Sequence, residues 1–195
     1  MKNHVFYCQL DYESIPYPQC GTGKGTIADN GCGICAACMV AENMLGVSLS
    51  LEEAAQLAID CGARCSSGTD YYIYTPHLAE RIGCSIRMIY DWEEALRFLQ
   101  THNDETGMVV ANTKGDRPDV GYHGVFSDSG HYIVLVSASS TTIRVWDPMY
   151  KKGGGRYYLP GRAGKVRLVG NDAYADMSII REDCKTRPFF LFEKK

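Results

Sequence analysis

Nine cysteines, five histidines and 23 acidic residues are spread along the chain, yet only a few stand where their chemistry could be used. The sharpest is Cys32, inside DNGCGICAACMVAENML, residues 29–45. Ile34, Ala37, Cys38, Ala41, Met44 and Leu45 recur at spacings of three and four, which marks one apolar face of a helix. Cys32 then falls in the first turn, where unpaired backbone N–H groups and the positive end of the helix dipole favour an anion. A thiolate, the nucleophilic form of cysteine, is most easily made there.

A thiol nucleophile needs a base, and the base needs a group to orient it. His4 lies at the N-terminus, His77 and His102 fall in helix patterns, and His123 is in mid-loop. His131 differs, because it follows Gly130 and opens the most apolar run in the chain. Asp147 stands beyond the next turn. With that turn centred on Ser139, His131 lies eight positions before it and Asp147 eight after. An antiparallel hairpin would set them opposite each other, on the face of Ile133, Leu135, Ile143 and Val145. The carboxylate would hold one imidazole nitrogen and leave the other for a thiol. A bulge or a one-residue slip would break this pairing.

Plainer readings exist for each residue. A histidine at a strand start is commonly a half-exposed polar residue, and an aspartate before proline is ordinary turn chemistry. Cys32, Cys35 and Cys38 also resemble the start of an iron–sulfur run. Glu42 stands near where its fourth cysteine would be, however, and three cysteines on two turns of one helix suit tetrahedral zinc poorly. Cys35 and Cys38 are simplest as small core residues. Gly21-Thr22-Gly23-Lys24-Gly25 lacks the spacing and the preceding buried strand of a phosphate loop. The conjunction of Cys32, His131 and Asp147 is what points to nucleophilic catalysis.

The elements that must position these residues can be traced in order. Residues 4–10 read as a short strand or extended segment, and 11–31 are rich in turn formers. The Cys32 helix stops near Gly46. Ser50 to Glu53 is a capping box for a second helix. Thr75-Pro76 opens a third with proline at its first position, running to about Gly83. Asp91 to Glu94 caps a fourth, ending near His102. Then the pattern changes: a buried strand at 108–111, a Gly-rich loop at 113–130, and two strands in HYIVLVSASSTTIRVWDP. The first of these is apolar on both faces and therefore central. Weaker strands follow at 165–169 and 189–192. Helices first and strands afterwards imply an α+β domain spanning 1–195.

Composition sets outer limits. With 45% hydrophobic and 22% charged residues and a net charge of -3, the chain offers no electrostatic case for nucleic acid or an anionic membrane. No apolar run approaches the ~18 residues of a membrane helix. The N-terminus lacks an apolar signal core, which implies a cytoplasmic protein unless Met1 heads a mature fragment of a secreted one. In that setting the cysteines are expected as free thiols.

The segments FYCQLDYESIPY, GTIADNGCGICAACMVAENMLG, EEAAQLAIDCG, GTDYYIY and GHYIVLVSASSTTIRVWDP run from about residue 5 to about residue 150. Together they resemble the papain-like cysteine peptidases of the bacteriocin-processing (double-glycine leader) type, and more narrowly their stand-alone bacterial members. The resemblance implies a papain-like fold, with N-terminal helices carrying the nucleophile packed on an antiparallel sheet. It implies Cys32 as nucleophile, His131 as general base and Asp147 as its orienting partner. Gln9 would donate its side-chain amide to an oxyanion hole together with the Cys32 backbone N–H, with Gln19 in a Pro-flanked loop as the competing candidate. No cofactor or metal is implied, and the partner is a peptide or amide substrate. The expected function is thiol-dependent hydrolysis of that bond. The alternatives are an inactive papain-like module that binds a peptide or cell-wall ligand and, further off, a cysteine-ligated metal protein. Residues 151–195 match no motif and are expected to complete or cover the sheet.

Overall fold

The computed structural model describes residues 4–151 and 155–195. Its helices are α1 (Ile27–Asn30), α2 (Cys32–Val40), α3 (Leu51–Asp60), α4 (Tyr71–Ile82), α5 (Trp92–Thr101) and α6 (Met177–Asp183). The strands are β1 (Arg64–Cys65), β2 (Gly68–Thr69), β3 (Cys84–Ile89), β4 (Gly107–Thr113), β5 (His131–Ala138), β6 (Thr142–Trp146), β7 (Val166–Val169), β8 (Asp172–Asp176) and β9 (Phe189–Lys194). β1 and β2 form a small hairpin, and the other seven form one antiparallel sheet in the order β3-β9-β4-β5-β6-β8-β7. The α+β class holds. β5 is the middle strand, as a run apolar on both faces requires.

The two faces of that sheet carry separate cores. Tyr132, Val134 and Val136 of β5 join Val110, Phe190 and Phe192 under α2, α3 and α4. Ile133 and Leu135, one step out of phase, join Ile143, Val145, Ala173 and Leu191 against α5 and α6. The period-two alternation of side chains along a strand produces this division.

α2 is more deeply set than one apolar face requires. Every residue from Gly33 to Val40 is buried, because the helix lies between the sheet, α3 and the N-terminal arm. It continues as a π-helical turn over Ala41–Leu45 and stops at Gly46, whose φ of 68° is easy only for glycine. Asn43 in that turn holds the arm, accepting from Val5 N (2.9 Å) and donating to Val5 O (2.8 Å).

The capping boxes behave as their sequences dictate. Ser50 Oγ accepts from Glu53 N at 3.1 Å and Glu53 returns the bond to Ser50 N at 3.0 Å, while Asp91 accepts from Glu94 N at 2.9 Å. The third helix differs from expectation. It starts at Tyr71 with Asp70 as its cap, and Pro76 lies inside it rather than at its first position. Burial of Tyr71 and Tyr74 in the core outweighs the proline signal. Residues 4–8 form no strand, and Gln9–Asp11 is a 3-10 turn. No helix among the described residues is long and apolar enough to cross a membrane.

The C-terminal stretch supplies β7, β8, α6 and β9, and β9 is inserted between β3 and β4. It also secures the loop leading to His131. Asp183, fully buried, accepts from Tyr122 OH (2.5 Å), Val125 N (3.0 Å) and Phe126 N (2.9 Å). Arg162 donates to Gly124 O (2.7 Å) and to Asp128 (2.7 Å). Hydrogen bonds to a buried charge are worth more than neutral ones, and removing their common acceptor strands several donors. Asp183→Ala is therefore expected to cost about 3 kcal/mol of folding stability, measured by urea unfolding.

Candidate active site

Cys32 is the first residue of α2, and two glycines place it there. A Cβ on Gly31 would lie 2.5 Å from Ile27 O, and one on Gly33 would lie 2.9 Å from the Tyr71 ring. The close approach lets Tyr71 OH donate to Gly33 O at 2.6 Å. Tyr71 in turn stacks on Tyr132, with ring centroids 4.3 Å apart. The start of α2 is thereby fastened to the start of β5, which brings Cys32 to His131.

His131 and Asp147 do meet, but not by the expected pairing. Val134 pairs with Trp146 and Leu135 with Val145, two residues displaced from a register centred on Ser139. Continued by one step, that register puts Asp147 across from Ile133, so His131 and Asp147 are diagonal neighbours. A two-residue displacement preserves the face, and diagonal side chains on one face remain within reach. Nearer the turn the pairs are Ala138 with Ile143 and Ser137 with Arg144, and the ladder shifts between Leu135 and Ser137. Val136 is the extra residue. Without this bulge Asp147 would lie across from Val134, on the opposite face from His131. The bulge creates the contact it was expected to break.

The resulting geometry is tight and dry. His131 Nε2 lies 2.6 Å from Asp147 Oδ1, and both side chains are shielded from water. A carboxylate only accepts, so Nε2 carries the proton and Nδ1 is left for the thiol. Asp147 Oδ1 also accepts from Met149 N at 2.8 Å, and Oδ2 accepts from Tyr157 OH. Burial pushes the Asp147 carboxyl up, but the charge and hydrogen bond of His131 pull it further down, to below the usual carboxylate range. For His131 burial favours the neutral ring, and Asp147 with Cys32 outweighs it, so the ring holds its proton up to about 9. Burial also raises the Cys32 thiol. The hydrogen bond and charge of His131, with backbone bonds from Tyr132 and Gly33, bring it below its ordinary value. Both shifts run toward a thiolate beside an imidazolium.

Gln9 is buried, with its Nε2 2.9 Å from Ala28 O and its backbone N–H donating to Pro148 O at 2.7 Å. It therefore joins the segment before Cys32 to the one after Asp147, from a 3-10 turn and not from an extended strand. Gln19 sits in a surface turn, its backbone N–H bonded to Lys24 O. Cys35 and Cys38 are core residues, all nine cysteines are free, and no group of three metal-binding side chains occurs among the described residues. Sequence reasoning missed Tyr157. Its only signal is an aromatic pair in a basic, Gly-rich stretch, and nothing there indicates a carboxylate ten residues back. A cleft of about 610 Å³ opens beside Cys32 and His131.

No protein-family model matches the sequence, and no curated protein does. Solved structures do match. One is the peptidase domain of Streptococcus ComA, a bi-functional ABC transporter involved in quorum sensing. It is 16% identical with a TM-score of 0.51, over 84% of this chain and 91% of that one. Another is a C39-like peptidase from Bacillus anthracis, 11% identical with a TM-score of 0.60, over 99% and 96%. The chain has the papain-like fold of the C39 peptidases. At these identities the likeness concerns the fold, and the chemistry rests on the side chains described above.

Two outcomes are expected. At pH 6 iodoacetamide should alkylate Cys32 at least about tenfold faster than the exposed Cys20, and His131→Ala should remove that lead, as read by peptide mapping. His131 binds its proton more tightly folded than unfolded, where about 6.5 is ordinary. Its stabilising contribution is thus complete below about 6.5 and lost as pH rises toward about 9. The melting temperature should fall across that interval, and fall less steeply in His131→Gln.

Proposed function

We propose that the chain, working as one domain over residues 1–195, is a thiol-dependent hydrolase. It cleaves a peptide or other amide bond through an acyl-enzyme on Cys32. The observation that carries this is the buried 2.6 Å contact of His131 Nε2 with Asp147 Oδ1, with the same imidazole lining one cleft with Cys32 and lowering the pKa of its thiol. That the similar folds include a peptidase domain and a C39-like peptidase supports a peptide as the substrate.

The Cys32 thiolate attacks the carbonyl carbon and a C–S bond forms as the carbonyl electrons move to oxygen. That oxyanion is met by the Cys32 backbone N–H and by Gln9, whose Nε2 carries two hydrogens of which Ala28 O takes one. His131 gives its proton to the departing amine, and the C–N bond breaks. A water then loses a proton to His131 and attacks the thioester, releasing the acid and restoring the pair. Asp147, held by Met149 N and Tyr157 OH, keeps the ring oriented throughout.

Cys32→Ala should abolish turnover of an amide substrate panel. An oxyanion donor is typically worth ~2.7–4 kcal/mol at the transition state, so Gln9→Ala should lower kcat on the order of 100-fold with the fold intact by circular dichroism. Amide kcat/KM should decline as pH rises through about 9, where His131 loses the proton the leaving amine needs. An inactive binding module would instead bind peptides equally well with and without Cys32 and turn over none.

A further inference from the structure

The walls of the 610 Å³ cleft carry two charged side chains besides the Cys32–His131 pair, Asp70 and Arg187. Asp70 is occupied as the cap of α4, accepting from Tyr72 N at 2.9 Å. Arg187 has no such occupation. Among the described residues Arg117, Arg144, Arg156 and Arg162 each have a carboxylate within 4.0 Å. Arg64, which is buried, donates to the carbonyls of Tyr17, Cys65 and Gly68. Among the described residues Arg187 is the one arginine that is neither exposed nor supplied with a hydrogen-bond or carboxylate partner for its guanidinium.

Its backbone is held where it is. The Arg187 N–H donates to Cys184 O at 2.9 Å, and Pro188 O accepts from Asn112 N at 3.2 Å. Thr186, just before it, has a φ of 65°, the one positive value at a non-glycine residue among the described ones. A β-branched residue adopts that conformation only against strain, and such strain persists where the surroundings enforce it, commonly at ligand-binding positions. Asn112, which also lines the cleft, has its Oδ1 buried without a hydrogen-bond partner.

Resting on the hydrolase reading, we propose that Arg187 sets specificity in this cleft by pairing with a carboxylate of the bound peptide. The substrate thus has an acidic side chain, or a free C-terminal carboxylate, close to the bond that is cut. A guanidinium presents a planar fork that matches a carboxylate with two parallel hydrogen bonds. A half-buried cleft wall screens such a pair less than open water does.

The test uses matched synthetic peptides that differ by Glu or Gln at one position at a time, each made as a C-terminal acid and as an amide. The expected result is a kcat/KM at least about tenfold higher for the carboxylate-bearing member of one pair. Whether that pair differs in the side chain or in the terminus identifies the source of the carboxylate. Arg187→Gln should erase the preference, Arg187→Lys should retain part of it, and Arg187→Glu should turn it toward a Lys-containing peptide. A merely structural role would produce no such reversal. Equal rates for all pairs, or a preference that survives Arg187→Gln, would overturn the assignment. If the parent cleaves no peptide, the hydrolase reading fails, and calorimetric binding of the same pairs to the Cys32→Ala protein decides the role of Arg187 separately.

Discussion

A carboxylate entirely shut off from water is costly unless it is fully hydrogen-bonded and paired, and Asp147 is the point at which the molecule meets that cost. His131, Met149 N and Tyr157 OH all converge on it. The protonation state of the site follows from this arrangement. Asp147 raises the affinity of His131 for its proton, and His131 lowers the pKa of the Cys32 thiol. Negative charge at the sulfur is thus favoured from the far side of an imidazole ring, by an anion that the solvent never touches.

Much of this was legible in the sequence because it is local. Helix starts depend on residues three or four apart, so the capping boxes at Ser50 and Asp91 and the position of Cys32 could be read directly. The central place of β5 followed from its composition alone. What could not be read depends on long-range contacts. β3 is an edge strand whose Ser85, Arg87 and Met88 are exposed, and it is defined by pairing with β9 more than a hundred residues later. Tyr157 acquires its meaning only once the chain has turned back onto Asp147. Pro76 misleads in the opposite direction, because tyrosines ahead of it gain more from the core than the proline costs inside the helix.

The His131–Asp147 contact was found from spacing for a reason that was only partly right. Side-chain parity in a β-ladder is all-or-none, so an error of two residues in register leaves the facing side chains on the same side while an error of one inverts them. The hairpin turn alone would have imposed the inverted arrangement. The additional residue at Val136 corrects it, and no composition signal marks Val136 as different from its apolar neighbours.

The position of β9 has a consequence for how the molecule is made. The segment bearing Cys32, His131 and Asp147 is complete in sequence by residue 147, but the strand that joins β3 to β4 lies at 189–194. A chain emerging in order from its N-terminus carries all three reactive side chains well before it can close its sheet. The late Tyr157 and Asp183 likewise arrive after the groups they hold in place. Contacts of such long sequence separation form slowly, because the entropy of closing the intervening loop must be overcome first. The site can therefore take its final form only once residue 194 has been made, and a chain interrupted before then carries the residues of the site without its geometry.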